Sequence, residues 1–294
     1  MRGLGDFSKR PEDRNFQLDV IKKLSIYFLQ EAHCTESNQH DWKAEWSYQA
    51  LFSCLSSKKA DITILFNNNF NFLIQKSYSD PRGRFIICDL TTNGKHFTLA
   101  NLYAPNEDDP HFFADVSNHL LVFKCDEIVI GGDFNLVLDV EKDKDRTHKK
   151  SLEVVKDFRE SLDLIDAWRV LQPDLLKFTW HQRRPEVHCR LDFFLVSQST
   201  FCNTIDAEII PGYKTDHSLM TINVSLHSNN RGHGFLKLNT SLLKNTEYVA
   251  LIKSVINKLK TNIRRMRNRS QSSAGDGENE DYRALYAVWR LQKT

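Results

Sequence analysis

Short strand-like runs, largely apolar and bounded by polar or glycine-containing stretches, restrict most tightly how this chain can fold. They recur at residues 25–29, 62–66, 70–75, 85–90, 96–102, 127–130, 191–196, 207–210 and 219–224. Several are apolar throughout rather than at alternate positions, which is how a strand reads when both faces of its sheet are covered. Within the first 227 residues helical spacing falls at 11–23, 110–123 and 151–162, and Pro11 suits a first helical turn. Many strands interleaved with few helices predict a four-layer α/β sandwich, in which two mixed β-sheets pack together and helices flank them. Asn67-Asn68-Asn69 falls between two runs and predicts a hairpin turn, because asparagine tolerates positive φ.

The 294 residues suffice for one large domain or two small ones. Forty Lys and Arg against 38 Asp and Glu leave a formal charge of +2, so any basic surface for a nucleic acid must be local. Cys34, Cys54, Cys88, Cys125, Cys189 and Cys202 are scattered without a C-x-x-C pair, mostly in apolar runs where a thiol acts as a small hydrophobe. That usage points to a reducing compartment. Residues 1–20 carry no apolar signal core, and no run approaches the ~18 residues that span a bilayer. A soluble intracellular protein without a membrane partner is expected.

The character changes after about residue 227. Residues 228–234 have linker composition. Val249, Ile252, Ile256, Leu259 and Ile263 then keep helical spacing and predict an amphipathic helix over 241–263. Arg264, Arg265, Arg267 and Arg269 form a basic cluster, suited to nucleic acid, to a nuclear address or simply to a solvated helix end. The polar stretch 270–281 reads as disordered. The expected organisation is a domain at 1–227, a linker and helix at 228–263, and a basic, polar tail at 264–294.

Chemistry concentrates where the apolar runs end. Gly131-Gly132-Asp133-Phe134-Asn135 follows the run at 127–130. In an extended segment residues i and i+2 point the same way, so Asp133 and Asn135 would enter one cleft. An aspartate can orient or deprotonate a water, and an amide can donate to a phosphate oxygen. Taken alone, the pentapeptide fits a β-turn with an Asx cap equally well. Gln30-Glu31 closes the run at 25–29, and Asn101-Leu102-Tyr103-Ala104-Pro105-Asn106 delivers a phenol and two amides toward a loop. Arg190-Leu191-Asp192-Phe193-Phe194 sets an acid within an apolar strand, where it is costly unless paired. Thr215-Asp216-His217-Ser218 offers that partner in His217.

The order of these motifs, with Leu29-Gln30-Glu31-Ala32-His33 first, resembles the endonuclease/exonuclease/phosphatase superfamily over about residues 1–225. Within it the likeness is to the apurinic-endonuclease-like branch, and especially to the endonuclease domains of LINE-type retrotransposons. The resemblance implies a Mg²⁺-dependent DNA phosphodiesterase, with Mn²⁺ as an alternative ion. It would be a nicking endonuclease with apurinic-site or 3′-exonuclease side activity, monomeric and nuclear. It further implies a metal held by Glu31, Asp133, Asn135, Asp216 and His217. Tyr103, Asp133, Asn135, Asp192 and His217 would be catalytic, with either Asp133 or His217 as base and Asp192 orienting His217. Asn106 would contact the scissile phosphate. Phe178-Thr179-Trp180, with Arg183 and Arg184, would present an aromatic and cations to DNA, Trp180 foremost. Thr215 stands where the family usually has serine, which keeps the hydroxyl. The family's first motif opens with a core strand and an asparagine; neither precedes Arg2 here, so weakened metal affinity is expected. A binding remnant without catalysis, or a phosphatase of the same superfamily, are the rival expectations. Residues 232–243 resemble the connector that leads such nucleases toward a reverse transcriptase.

Overall fold

The structure is a computed structural model and describes residues 24–32, 34–54, 61–123, 127–143, 148–212, 215–226, 246, 250, 253, 254 and 283–290. The chain divides into two compact units, residues 1–228 with 282–294, and residues 229–281. In the second unit the described residues 246, 250, 253 and 254 are helical. The expected helix over 11–23, the linker at 228–234, the arginine cluster at 264–269 and the polar stretch at 270–281 lie outside the described residues, as does most of 241–263.

In chain order the first unit begins with β1 (Ile26–Gln30), α1 (Gln39–Trp46), β2 (Ala50–Cys54), β3 (Asp61–Phe66), β4 (Leu73–Ser79), β5 (Phe85–Thr92) and β6 (Lys95–Tyr103). Next come α2 (Pro110–Phe123), β7 (Ile128–Asp133), α3 (Val140–Asp143), α4 (Lys149–Ser161), β8 (Leu164–Asp166) and α5 (Ala167–Leu171). A two-stranded ribbon, β9 (Trp180–Arg183) and β10 (Glu186–Cys189), precedes β11 (Asp192–Ser197) and α6 (Gln198–Cys202). β12 (Thr204–Ile210), β13 (Leu219–Ser225) and β14 (Arg283–Arg290) complete the order. Two six-stranded sheets result, β12-β13-β14-β1-β3-β2 and β4-β5-β6-β7-β11-β8. Both are mixed, since β1–β14 and β6–β7 run parallel among antiparallel pairs.

The continuous apolar runs are explained by burial on both faces. Along β1, Ile26 and Phe28 enter the main core, whereas Tyr27 and Leu29 pack with Trp42 of α1 in a second cluster. Alternate side chains of a strand face opposite ways, so β1 must be apolar on both. β4, at the edge of its sheet, is mostly exposed and carries a mixed sequence instead. Helix α2 begins at Pro110 and buries Phe112, Phe113, Val116, Leu120 and Phe123. Phe28 and Phe194, one from each sheet, meet with ring centroids 6.1 Å apart. A Cβ on Gly131 would lie 2.5 Å from the Phe194 ring and 2.7 Å from that of Phe28, so a side chain there would push the sheets apart.

Two expectations need correction. Residues 67–69 do turn the chain, and Asn67 Nδ2 donates to the Leu24 carbonyl at 3.0 Å, but β3 and β4 belong to different sheets. The turn is a crossing, not a hairpin, because periodicity identifies strands without naming their partners. Asn101 reaches no loop. It is fully buried, accepts from Gln30 Nε2 at 2.6 Å, and donates to the carbonyls of Leu29 at 3.2 Å and Thr63 at 3.0 Å. It therefore ties the sheets together, satisfying polar groups that burial would otherwise penalise. Within 264–294, residues 283–290 form β14, a strand that the composition of this segment does not announce.

Candidate active site

Three motifs far apart in sequence meet because β6, β7 and β11 are neighbours in a fixed register. Tyr103 pairs with Asp133 across the parallel ladder, and Asp133 pairs with Asp192 across the antiparallel one. Residues opposite each other in register present side chains to the same face. A phenol and two carboxylates thus stand in a row at the sheet's end. Gly132 permits this. Its φ is +140°, and a Cβ there would sit 2.0 Å from the Leu102 carbonyl oxygen. Only glycine lets β6 and β7 approach so closely at that point.

Beyond Asp133 the chain turns through Asn135, which has a left-handed φ of 49°. Its N–H donates to Asp133 Oδ1 at 2.9 Å, and its Nδ2 donates to the Ala104 carbonyl at 2.7 Å. Asn135 therefore fixes the Asp133 rotamer and pins the turn to the end of β6. His217 arrives from the segment before β13. Its Nδ1 lies 3.0 Å from Asp192 Oδ2, while its Nε2 lies 4.0 Å from Asp133 Oδ2. The backbone N–H of His217 donates to Thr215 Oγ1 at 3.2 Å, which is the use made of that hydroxyl. Asp133, Asp192 and His217 are each at most 2% exposed. Their ligating atoms all lie within 4.8 Å of one another. Two buried carboxylates beside one imidazole leave an excess of acceptors, which favours a cation or a protonated group between them.

Glu31 follows β1 in a half-buried position with φ of 52°, and accepts a hydrogen bond from the Tyr103 hydroxyl. That bond joins the first sheet's carboxylate to the row on the second. Behind it, the Glu31 N–H donates to the Asp61 carbonyl at 3.0 Å. The Asp61 carboxyl itself is pushed up to about 7, chiefly by burial and further by the Glu31 charge, against the lowering effect of the Cys34 N–H. Asp216 is half-buried beside His217. Its Oδ2 accepts from Trp180 Nε1 at 3.2 Å, whereas its Oδ1 is buried and has no hydrogen-bond partner among the described residues. An acceptor left over in this way fits a hard cation such as Mg²⁺, which prefers carboxylate oxygen.

The structure thus gathers Glu31, Tyr103, Asp133, Asn135, Asp192, Asp216 and His217. Asn106 lies exposed on the loop after β6, outside this group. Trp180 lies half-buried on the ribbon, bridged to His217 through the backbone. Thr179, which the sequence marks only as the neighbour of Trp180, has a role of its own. It is fully buried, and its Oγ1 accepts from the N–H of Leu191 at 2.9 Å and of Asp192 at 3.0 Å. No local signal distinguishes such a threonine, since its partners lie more than ten residues away.

The profile of the endonuclease/exonuclease/phosphatase family matches residues 3–217. The chain is 25% identical over 235 residues to the transposon TX1 uncharacterized 149 kDa protein of Xenopus laevis, a match covering 78% of this chain. It spans only 18% of that protein's length. Among solved structures, the AP endonuclease LMAP from Leishmania major superposes with a TM-score of 0.59 at 15% identity, over 74% of this chain and 83% of that one. The 3′ phosphatase NExo from Neisseria, bound to a product DNA hairpin, gives 0.52 at 19% identity, over 69% and 92%. At these identities the structural likeness is one of fold.

Proposed function

Because the chain belongs to the endonuclease/exonuclease/phosphatase family, we propose that it is a divalent-metal-dependent nuclease that hydrolyses DNA phosphodiesters, acting as a nicking enzyme. The observation that carries this reading is the buried Asp133–Asp192–His217 group, with Tyr103 and Glu31 alongside. Apurinic sites and 3′ termini are further substrates under the same proposal, supported by the fold shared with an AP endonuclease. A nuclear place of action follows from the substrate.

Glu31, Asp133 and Asp216 would hold the ion through carboxylate oxygen, with the Asn135 amide oxygen and His217 beside them. Bound Mg²⁺ or Mn²⁺ supplies neutralisation of the charge that develops on the phosphoryl group. The remaining work falls to the side chains. Asp192 accepts from His217 Nδ1–H, which fixes the tautomer and turns Nε2 toward Asp133. A water or phosphoryl oxygen bonded to both Nε2 and Asp133 Oδ2 would span their 4.0 Å separation. Asp133, with one oxygen occupied by the Asn135 N–H, orients the attacking water through the other. The Tyr103 hydroxyl is directed by Glu31 toward the same cleft. Asn106 and Trp180, flanking the buried group, are assigned to the DNA strand.

A supercoiled plasmid assay run beside a phosphate-release assay tests the proposal. Mg²⁺-dependent conversion to the open circle is expected, with EDTA abolishing turnover and Mg²⁺ restoring it. Phosphate release from 3′-phosphorylated DNA without nicking would replace the nuclease by a phosphatase, a reading favoured by the likeness to a 3′ phosphatase. DNA binding without either turnover would leave a binding remnant.

A further inference from the structure

The ribbon carries a pair of histidines that the proposed chemistry does not use. His181 of β9 and His188 of β10 are direct cross-strand partners. Their Nδ1 atoms lie 2.7 Å apart, with ring centroids at 4.9 Å and planes inclined by 70°. Such a distance requires a proton on one nitrogen and a lone pair on the other. Glu186 decides which. Its Oε1 lies 3.0 Å from His188 Nε2, so that nitrogen carries the hydrogen and His188 Nδ1 keeps its lone pair. Phe178 stacks on the His188 ring at 5.9 Å and helps hold its plane. A carboxylate on the far nitrogen of an imidazole is the arrangement that orients metal-ligating histidines.

We propose that His181 and His188 form a second metal site, in which their facing Nδ1 atoms bind a transition-metal cation that favours imidazole, such as Ni²⁺, Cu²⁺ or Zn²⁺. It is chemically distinct from the oxygen-rich group at Asp133, where a hard ion is expected. On binding, the His181 Nδ1 proton moves to its own Nε2 through solvent. Each Nδ1 then donates a lone pair, the aquo ion sheds two waters, and no net proton is released. With metal–nitrogen bonds of about 2.0–2.1 Å and tetrahedral angles, the two nitrogens would stand roughly 3.3 Å apart. The rings need only swing open by a fraction of an ångström, which an exposed ribbon allows, and water completes the coordination. The His181 N–H donates to the Asp216 carbonyl at 2.9 Å, so the ion would sit on an element tied to the Asp216–His217 segment.

The test is a Cu²⁺ and Ni²⁺ titration of the full chain in excess Mg²⁺, followed by calorimetry and, for Cu²⁺, by the nitrogen splitting in electron paramagnetic resonance. One equivalent with a two-nitrogen signature is expected. His181→Ala and His188→Ala should each weaken it by about tenfold or more, and Glu186→Gln by a smaller factor. Far-UV circular dichroism checks that each variant is folded. His217→Ala and His119→Ala should retain the site. Binding that survives both ribbon variants, or that disappears in His217→Ala, would overturn the proposal by assigning the ion to thiols or to the buried carboxylate group.

Discussion

Two buried ionic groups sit two residues apart on the approach to β11, and they are built in opposite ways. Arg190 lies at the centre of the first. Its Nε donates to Asp143 Oδ1 at 2.9 Å, its Nη1 to Asp166 Oδ1 at 3.1 Å, and its Nη2 to Asp143 Oδ2 at 2.8 Å and Asp166 Oδ2 at 2.6 Å. Arg169 adds a second cation to Asp143. Burial alone would push the Arg190 guanidinium down, but Asp166 and Asp143 outweigh it and hold it above its ordinary value. Two arginines thus balance two aspartates. The second group has Asp133 and Asp192 against a single imidazole, with a 4.0 Å separation on one side. Equal burial therefore does not imply equal purpose. The closed group stabilises the β11 approach, whereas the second carries more carboxylates than nearby cations, which under the proposed function suits it to an ion and a substrate.

The sharpest way to break this comparison is Asp133→Asn. Nicking should fall by roughly 10²–10⁴-fold, the scale on which positioned acid–base groups act. DNA affinity should stay within a few-fold, since it comes mostly from phosphate contacts. The melting temperature should not fall, because removing one of two neighbouring buried carboxylates relieves repulsion. Glu31→Gln should behave alike. A variant that nicks normally, or that melts early, would mean the group is structural after all.

Arg190→Met should do the reverse. Removing one partner of a buried ionic network typically costs about 3–5 kcal/mol; here Asp166 loses the cation at its carboxylate and Asp143 keeps only Arg169. Thermal and urea melts would register this. Nicking per folded molecule, measured well below the midpoint, should stay within several-fold of the parent. Lost activity at unchanged stability would merge the two groups into one functional site.

The sequence disclosed the strands of both sheets better than their partners. β1, β3, β7 and β11 are buried at every position, so their apolar runs were visible without any structure. The ribbon was not, since Trp-His-Gln-Arg and Glu-Val-His-Cys carry no apolar pattern. β14 is hidden in the sequence because the segment it lies in, 264–294, is dominated by polar and charged residues. Among the candidate site residues, the gathering of polar side chains at strand ends is legible in the sequence, as is the need of a buried Asp192 for a partner. What the sequence could not supply was register. Tyr103, Asp133 and Asp192 form a row only because three strands pair as they do. Thr179, which the sequence marks only as the neighbour of Trp180, and Asp61, which stands in no motif, act through backbone groups brought near by the fold.

Thr179 also offers the finest test of the comparison, because it sits where the two groups join. Its hydroxyl accepts the N–H groups of Leu191 and Asp192, which directly follow Arg190, and its own N–H donates to the Cys189 carbonyl at 3.0 Å. Thr179→Val keeps the shape and removes the acceptor. Two buried N–H groups then lose their partner, which should cost about 2 kcal/mol. The same loss frees the backbone that aims Asp192 at His217, so kcat should fall by about tenfold, a modest loss of positioning. KM should hold, since no DNA contact is touched. Thr179→Ser should recover both stability and rate. A purely structural threonine would lower the melting temperature and leave kcat and its pH profile as they were. That result would show that Asp192 is held by β11 alone, and that the closed group and the open one are coupled by nothing more than the chain between them.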